Sequence, residues 1–348
     1  MAELTDQSPP ADELDTARAA MWDMITGYRN SQVVRVAAAL GLAEHCADRP
    51  VTAEEIARLE WTDVTATARF LRMCAAVGLV SAVDEERFTG TPLLNALHKD
   101  TAGSLRGFAL SLPGWGHWLP WGQLWEAVQT GRRQTAATLG QDLFDYYATE
   151  PGEAAAFTEG LVCMKSIVGP EAASVINTCG VEMAVDVGGA TGDLLYDLMK
   201  VNPLLNGIVF DVPHVSSAAL AAAARNGCGD RVRVVTGDFF EAVPEGGDLY
   251  LLRNILHDWD DEKCVRILAN CRQAMRPGAR VVVLEMILGE IGQEPVLAPS
   301  EDINMLVMLG GRERTGVQFD ALFAAAGLRR TAVTPTQSST GVIEAVAA

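Results

Sequence analysis

A mixed α/β fold is what this sequence predicts: a mainly helical front of about 100 residues, a helical connector, then a mostly parallel sheet with helices on both faces. Three observations predict it. From residue 182 onward, short apolar runs of strand length alternate with helix-compatible segments. At 183–200 a strand runs into a glycine-rich turn and then a helix. Over the first 90 residues the order is helix, helix, helix, hairpin. A length of 348 residues exceeds one ordinary domain. Boundaries near 100 and 180 divide the chain into 1–100, 101–180 and 181–348.

Each element has its own reason. Residues 14–45 are alanine-rich, with apolar positions from Met21 to Leu40, and read as one long helix. Thr52-Ala53-Glu54-Glu55 is a capping box that opens a second helix carrying Ile56 and Leu59. Residues 63–77 form a third, ended by Gly78, and 79–83 with 87–89 make a hairpin around Asp84-Glu85-Glu86. That is a winged-helix order. Residues 101–135 hold Trp115, Trp118, Trp121 and Trp125, either packing in a connector or walling a flat ligand. Residues 142–180 read as helix with a break at Pro151. The sheet region gives strands 183–187, 207–211, 231–235, 248–252 and 279–285, with helices 193–200, 215–225, 261–276 and 317–326. Two apolar stretches, 328–334 and 341–346, pair as a terminal hairpin.

Composition excludes several classes. Formal net charge is −18, and residues 1–100 alone carry 16 acids against 9 bases. A winged helix of that charge repels a phosphate backbone, so it serves dimerisation, not DNA. Nucleic acid and anionic membrane surfaces are therefore not partners. No apolar run reaches the roughly 18 residues of a membrane span. The stretch Met1–Asp15 is polar and acidic, unlike a secretion signal, and reads as a frayed tail. Seven cysteines without a CxxC pair fit reduced thiols in a cytoplasmic protein. The five histidines show no ligand-like spacing, so no metal is expected.

The motifs sit at successive strand ends, where ligands bind in such sheets. Gly188-Gly189-Ala190-Thr191-Gly192 departs from the GxGxxG spacing of a dinucleotide site, and no phosphate-binding P-loop is present. Asp211 ends the next strand, about 20 residues on, as an acid that holds a ribose diol does. Asp238-Phe239 follows the third strand, a pair suited to an adenine amino group and ring. A nucleoside-bearing ligand is implied.

The segments Asp186–Gly192, Phe210–Val215, Gly237–Phe240, Leu256–Asp261 and Gly310–Thr315, in this order, make the chain resemble a known family. It is similar to class I S-adenosylmethionine-dependent O-methyltransferases of the long type, which act on plant phenolics and bacterial aromatic polyketides. The resemblance covers nearly the whole chain. It implies a Rossmann-like methyltransferase sheet behind a winged-helix dimerisation domain, a homodimer, and no metal. It implies S-adenosylmethionine as cofactor, leaving S-adenosylhomocysteine (SAH). By the resemblance Gly188 lies against the methionine part, Asp211 binds the ribose, and Asp238 and Phe239 flank the adenine. Arg253 and Trp259 lie near the cofactor, with Tyr146, Tyr147 and Lys165 in a more variable stretch.

The chemistry requires a base, since a sulfonium donor is already electrophilic while a phenol, near pKa ~10, must lose its proton. Strand 248–252 empties into Arg253–Trp259, so His257 lies just past a strand end. Strand 279–284 ends in Glu285; were the two strands neighbours, about 4.8 Å apart, the pair would share one rim of the sheet. A carboxylate on the far ring nitrogen raises the basicity of His and fixes its tautomer. In the resembled family the base stands at His257, with acids at Glu285 and Glu313 around it. Substrate-pocket candidates by position are Phe144, Phe157, Leu161, Met164, Met305 and Met308. The family often has Met where Leu161 stands and a polar residue near Met308. Those departures and the tryptophans point to a polycyclic aromatic acceptor of polyketide type. Alternatives are a cofactor-binding relative that catalyses another reaction such as hydroxylation, a nicotinamide-dependent oxidoreductase, and a cofactor-sensing regulator.

Overall fold

Apolar strands that are buried on both faces need a helical layer on each side, and the chain supplies both. A computed structural model describes residues 11–293, 295–337 and 340–348, apart from the side chains of 11–13 and 165–167. The expected tail over 1–15 and the side chain of Lys165 thus fall largely or wholly outside the described residues. The chain divides into two compact units. One runs to Trp115 and takes in Glu150–Leu161; the other comprises Gly116–Thr149 and Val162–Ala348.

In the first unit a helix over Ala11–Ala39 is followed by Leu42–His45, where one continuous helix was expected. The break is Gly41, whose φ of 56° is left-handed and ends the α-helical path. Helices Ala53–Glu60 and Val64–Ala76 follow. The capping box is present: Thr52 Oγ1 accepts from the Glu55 amide at 3.2 Å, and the Glu55 carboxylate accepts from the Thr52 amide at 3.0 Å. Strands β1 (Val51–Thr52), β2 (Val80–Ala82) and β3 (Arg87–Gly90) form a small antiparallel sheet in the order β1-β3-β2. The hairpin was expected; two-residue β1 is too short to show a period. Leu42, Ile56, Leu71, Cys74 and Leu94 make the core. Along the first helix Met21, Trp22, Met24 and Ile25 are all more than half exposed.

The second unit holds the main sheet. Its strands are β4 (Met183–Val187), β5 (Asn206–Asp211), β6 (Val232–Thr236), β7 (Gly247–Arg253), β8 (Met275–Leu288), β9 (Arg314–Thr315), β10 (Leu328–Pro335) and β11 (Thr340–Ala347). Their order is β10-β11-β8-β7-β4-β5-β6, with β9 attached to β8. The central five pair in parallel, and the terminal hairpin closes one edge antiparallel. Period-two alternation divides the core: Leu249 and Leu251 of β7 face the layer of helices Asp193–Val201 and Ser216–Arg225. Tyr250 and Leu252 face Asp261–Ala274 and Gly316–Ala325. Each such fully buried leucine contributes about 2 kcal/mol of burial free energy. Strand order reverses at β4, between β5 and β7, which marks the crevice where this architecture binds ligands.

One helix of this unit and the strand after it were not expected. Helix Leu297–Met308 lies in a stretch that received no assignment, and β9 follows it. The tryptophans, for which packing and a ligand wall were both open, differ in exposure. Trp115 and Trp125 are 57% and 68% exposed, whereas Trp121 packs with Leu124, Tyr147 and Met308. No helix among the described residues is long and apolar enough to cross a membrane. All seven cysteines are free.

Candidate active site

The turn after β4 is built around absent side chains. Gly188 has φ +69°, and its amide donates to the Phe210 carbonyl at 2.8 Å. A Cβ there would come within 2.5 Å of Ile255 Cδ1 and 3.7 Å of Phe239 Cε1. The bare backbone therefore leaves a cradle between β4, the loop after β7 and Phe239. Asp211 ends β5 and ties to this turn: one carboxylate oxygen accepts from the Ala190 amide at 2.8 Å, the other from the Val212 amide at 2.7 Å. Each oxygen keeps a second lone pair for a diol. Asp238 accepts from the Phe240 amide at 2.8 Å, and Phe239 stands edge-on to Phe240 and Trp259. Lys263 Nζ caps the Trp259 ring at 5.0 Å from its centre. Arg253 lines the cleft with Asp186, Gly188, Gly189, Ala190, Asp193 and Leu194. Burial lowers its guanidinium pKa from the ordinary value, opposed by Asp186, Asp193 and Asp197. An open glycine turn, a strand-end acid and an aromatic beside a second acid fit a nucleoside with a charged tail.

The second cluster stands at the ends of β7 and β8. These strands are parallel neighbours, Arg253 opposite Leu284, and the Asn254 amide donates to the Leu284 carbonyl at 3.0 Å. His257 and Glu285 are thereby brought to one rim. Glu285 is fully buried, and its Oε1 accepts from the amides of Ile255 at 3.0 Å and Leu256 at 2.8 Å. It fixes the 3-10 turn Leu256–Asp258 that carries the imidazole. Its other oxygen lies 3.7 Å from His257 Nδ1. The short contact to Nδ1 comes from Glu313 Oε1, at 2.8 Å. The acid nearest the ring is thus Glu313, from the loop before β9, while Glu285 shapes the turn; spacing alone had suggested the reverse emphasis.

Burial works against a charged imidazole, but Glu285, Glu313 and Asp258 outweigh it and raise His257 to about 10. Burial pushes the Glu285 carboxyl up to about 7 despite His257. Asp258 lies 3.4 Å from Nε2, and burial raises its pKa too. One ligand atom each from His257, Glu285 and Glu313 falls within a 4.8 Å radius of the others, a donor set that could take a cation. The linear spacing of histidines could not show this trio, because two of its members are acids from distant elements.

Several functional positions escaped the sequence. Arg314 is 1% exposed and donates to the carbonyls of Leu256 at 2.9 Å and Trp259 at 2.8 Å, on either side of His257. Its Nε and Nη2 meet Asp261 Oδ1 at 3.0 and 2.9 Å. In sequence it was one member of an Arg-Glu-Arg run, with no sign of burial. Gly311 is the second. An added Cβ there would collide with the His257 carbonyl and the Asp258 backbone, which has no rotamer to yield. Gly311→Ala is expected to displace the His257 turn and lower kcat at least about tenfold, a geometric loss of the kind small misplacements cause. Steady-state kinetics beside a far-ultraviolet spectrum checks it. Asp186, 2% exposed at the end of β4, is the third, and its motif position was the available signal.

The pocket candidates separate. Met305 and Met308 are buried on helix Leu297–Met308, and Met308 packs with Trp121. Phe144 is 65% exposed and Met164 36%. Phe157 and Leu161 are half-buried within the first unit. Tyr147 joins the Met308 cluster, and its hydroxyl lies 3.3 Å from His117 Nδ1.

Known proteins share this architecture. Residues 121–329 match the O-methyltransferase domain, and residues 22–100 match the O-methyltransferase dimerisation domain. Phenazine O-methyltransferase PhzM of Lysobacter antibioticus is 36% identical over 322 residues, 92% of this chain and 94% of that protein. The structure of the mitomycin 7-O-methyltransferase MmcR superposes with a TM-score of 0.91 at 27% identity, covering 97% of this chain and all of that one. The SAH-bound form of CalO1, a methyltransferase in calicheamicin biosynthesis, gives 0.84 at 32% identity, covering 97% and 100%.

Proposed function

The chain belongs to the O-methyltransferase family and uses S-adenosylmethionine, and from that premise we propose that it methylates a phenolic hydroxyl on a multi-ring aromatic compound with His257 as base. The bound cofactor supplies the methyl group as an electrophile. Gly188, Asp211, Asp238, Phe239, Arg253 and Trp259 are the residues that would hold it. The observation that carries the reading is the 2.8 Å contact between His257 Nδ1 and Glu313. In the neutral ring Nδ1–H donates to that carboxylate, so Nε2 keeps its lone pair for the acceptor proton. The imidazolium that forms is stabilised by the acids already around it. Buried Met305 and Met308 offer a soft, mouldable surface to a flat ring system. The kinds of compound named for the relatives, phenazine and mitomycin, agree with a multi-ring acceptor.

The exposed Met21, Trp22, Met24 and Ile25, within the matched dimerisation region, support a homodimer formed through the first unit. A small aromatic acceptor, with no nucleic acid and no membrane, completes the partners, in a cytoplasmic setting. The test is incubation with S-adenosylmethionine and a panel of hydroxylated naphthalenes, phenazines and anthraquinones, read by mass spectrometry. One added methyl group per product, insensitive to a chelator, is expected. Oxygen insertion, or hydride transfer from a nicotinamide, would overturn the reading.

The electrostatics give a pH dependence. A base must be neutral to act, and His257 is held protonated well above its ordinary 6.5. The ratio kcat/KM is expected to rise with pH and level off on the alkaline side of that value. Glu313→Gln should move the rise to lower pH. For stability the sign is the opposite. His257's folded value is raised, so its stabilising charge is complete below 6.5 and is lost as pH climbs toward about 10. Rate profiles and urea midpoints across that window check both.

A further inference from the structure

Helix Leu297–Met308 carries a polar pair that neither the base nor the cofactor cradle uses. Glu301, Asn304, Met305 and Met308 recur at the i, i+3, i+4, i+7 spacing of one helical face. The amide of Asn304 is fixed at both ends. Its Oδ1 accepts from Trp121 Nε1 at 3.0 Å, and its Nδ2 donates to Glu301 Oε2 at 3.2 Å. The indole has only a donor to give, so the amide cannot flip without losing both bonds. Glu301 Oε2 is thereby held and Oε1 is left for another donor. The same carboxylate senses His257 and Glu313 electrostatically, and burial raises its pKa. It lies on the helical face that bears Met305 and Met308, and its neighbour Asp302 accepts from the Glu313 amide at 2.9 Å, which brings this helix to the base cluster.

A half-buried carboxylate oxygen costs free energy unless something donates to it. We propose that Glu301, oriented by Asn304 and Trp121, is the specificity determinant for a nitrogen-bound hydrogen-bond donor, an amino or ring N–H group, carried on the acceptor beside its reacting hydroxyl. Discrimination by such a group is strong, because an acceptor lacking the donor leaves the second carboxylate oxygen, Oε1, without one. The inference rests on the phenol-methylation reading and names the kind of phenol.

The experiment uses the full-length protein with three naphthols that carry hydrogen, methoxyl or amino at the carbon next to the hydroxyl. Wild type is expected to favour the amino compound at least about tenfold in kcat/KM. In Glu301→Leu that preference should vanish, chiefly through a higher KM for the amino compound. Glu301→Gln, whose amide both accepts and donates, should recover part of it and improve the methoxyl compound. Asn304→Leu should weaken the preference without reversing it. Equal rates for all three naphthols in wild type would overturn the proposal and leave the function standing. So would Glu301→Leu lowering all three by the same factor, as a merely structural residue would. Cofactor binding with no naphthol methylated would instead overturn the underlying function.

Discussion

Replacing His257 with alanine is expected to lower kcat by about 10²–10⁴-fold, the usual worth of a positioned proton acceptor, while affinity for S-adenosylmethionine is retained. The bonds that shape the glycine cradle run between Gly188, Phe210, Ala190, Asp211 and Val212 and do not involve the ring. A second consequence separates this variant from an ordinary loss of a side chain. Glu313 Oε1 loses its partner at 2.8 Å, and two buried carboxylates then face each other across the gap. Removing one partner of a buried charge cluster costs about 3–5 kcal/mol. The alanine variant should therefore be less stable at pH 8 than at pH 6, where Glu285, its carboxyl pushed up to about 7 by burial, can take up a proton. His257→Gln keeps a donor toward Glu313 and should spare much of the stability while still losing turnover. Calorimetric titration with the cofactor, turnover by mass spectrometry and urea unfolding together decide it; full activity in either variant removes His257 as base.

The other large effect is expected at Arg314. This guanidinium closes the turn from behind, bonding the carbonyls of Leu256 and Trp259 and the carboxylate of Asp261. Arg314→Met fills similar volume but takes the charged donor from two carbonyls, leaving Leu256 to the Trp259 amide and the Cys264 thiol and Trp259 to that thiol alone; hydrogen bonds to a charged group are worth about 1.5–3 kcal/mol each. A loss of about 3 kcal/mol in unfolding free energy follows, with kcat falling because His257 is no longer registered against Glu313. Arg314→Lys can reach one carbonyl but not both, since an ammonium lacks the planar fork. It should fall between. A methionine variant with unchanged urea midpoint and unchanged kcat would show that the turn holds itself.

Much of this was legible in the chain because it depends on local pattern. The alternation of apolar runs and helical segments after residue 182 marked the central parallel strands and the terminal hairpin, with ends shifted by a few residues at most places. The glycine run, Asp211 and Asp238 were legible because each follows directly on a strand. His257 and Glu285 were too, since parallel neighbours align their exits. Helix Leu297–Met308 was not. Its apolar residues, including Ala298, Ile303, Leu306 and Val307, lie nearly all round, and Pro299 stands in its first turn. Without it the pairing of Asn304 with Trp121, 183 positions away, leaves no trace in sequence. The relative closeness of Glu285 and Glu313 to the ring was equally hidden. It depends on where a loop returns, which spacing does not encode.

The carboxyl-terminal strand has a practical bearing on anyone who reshapes this molecule. Gly341 of β11 lies in register with Glu285, and its lack of a side chain admits Ile287 against the sheet. Residues that touch no ligand thus clamp the strand on which the turn-shaping acid rides. Trimming the chain into Thr340–Ala347, or swapping that segment between relatives, would slacken proton removal from a distance while the donor still docked normally.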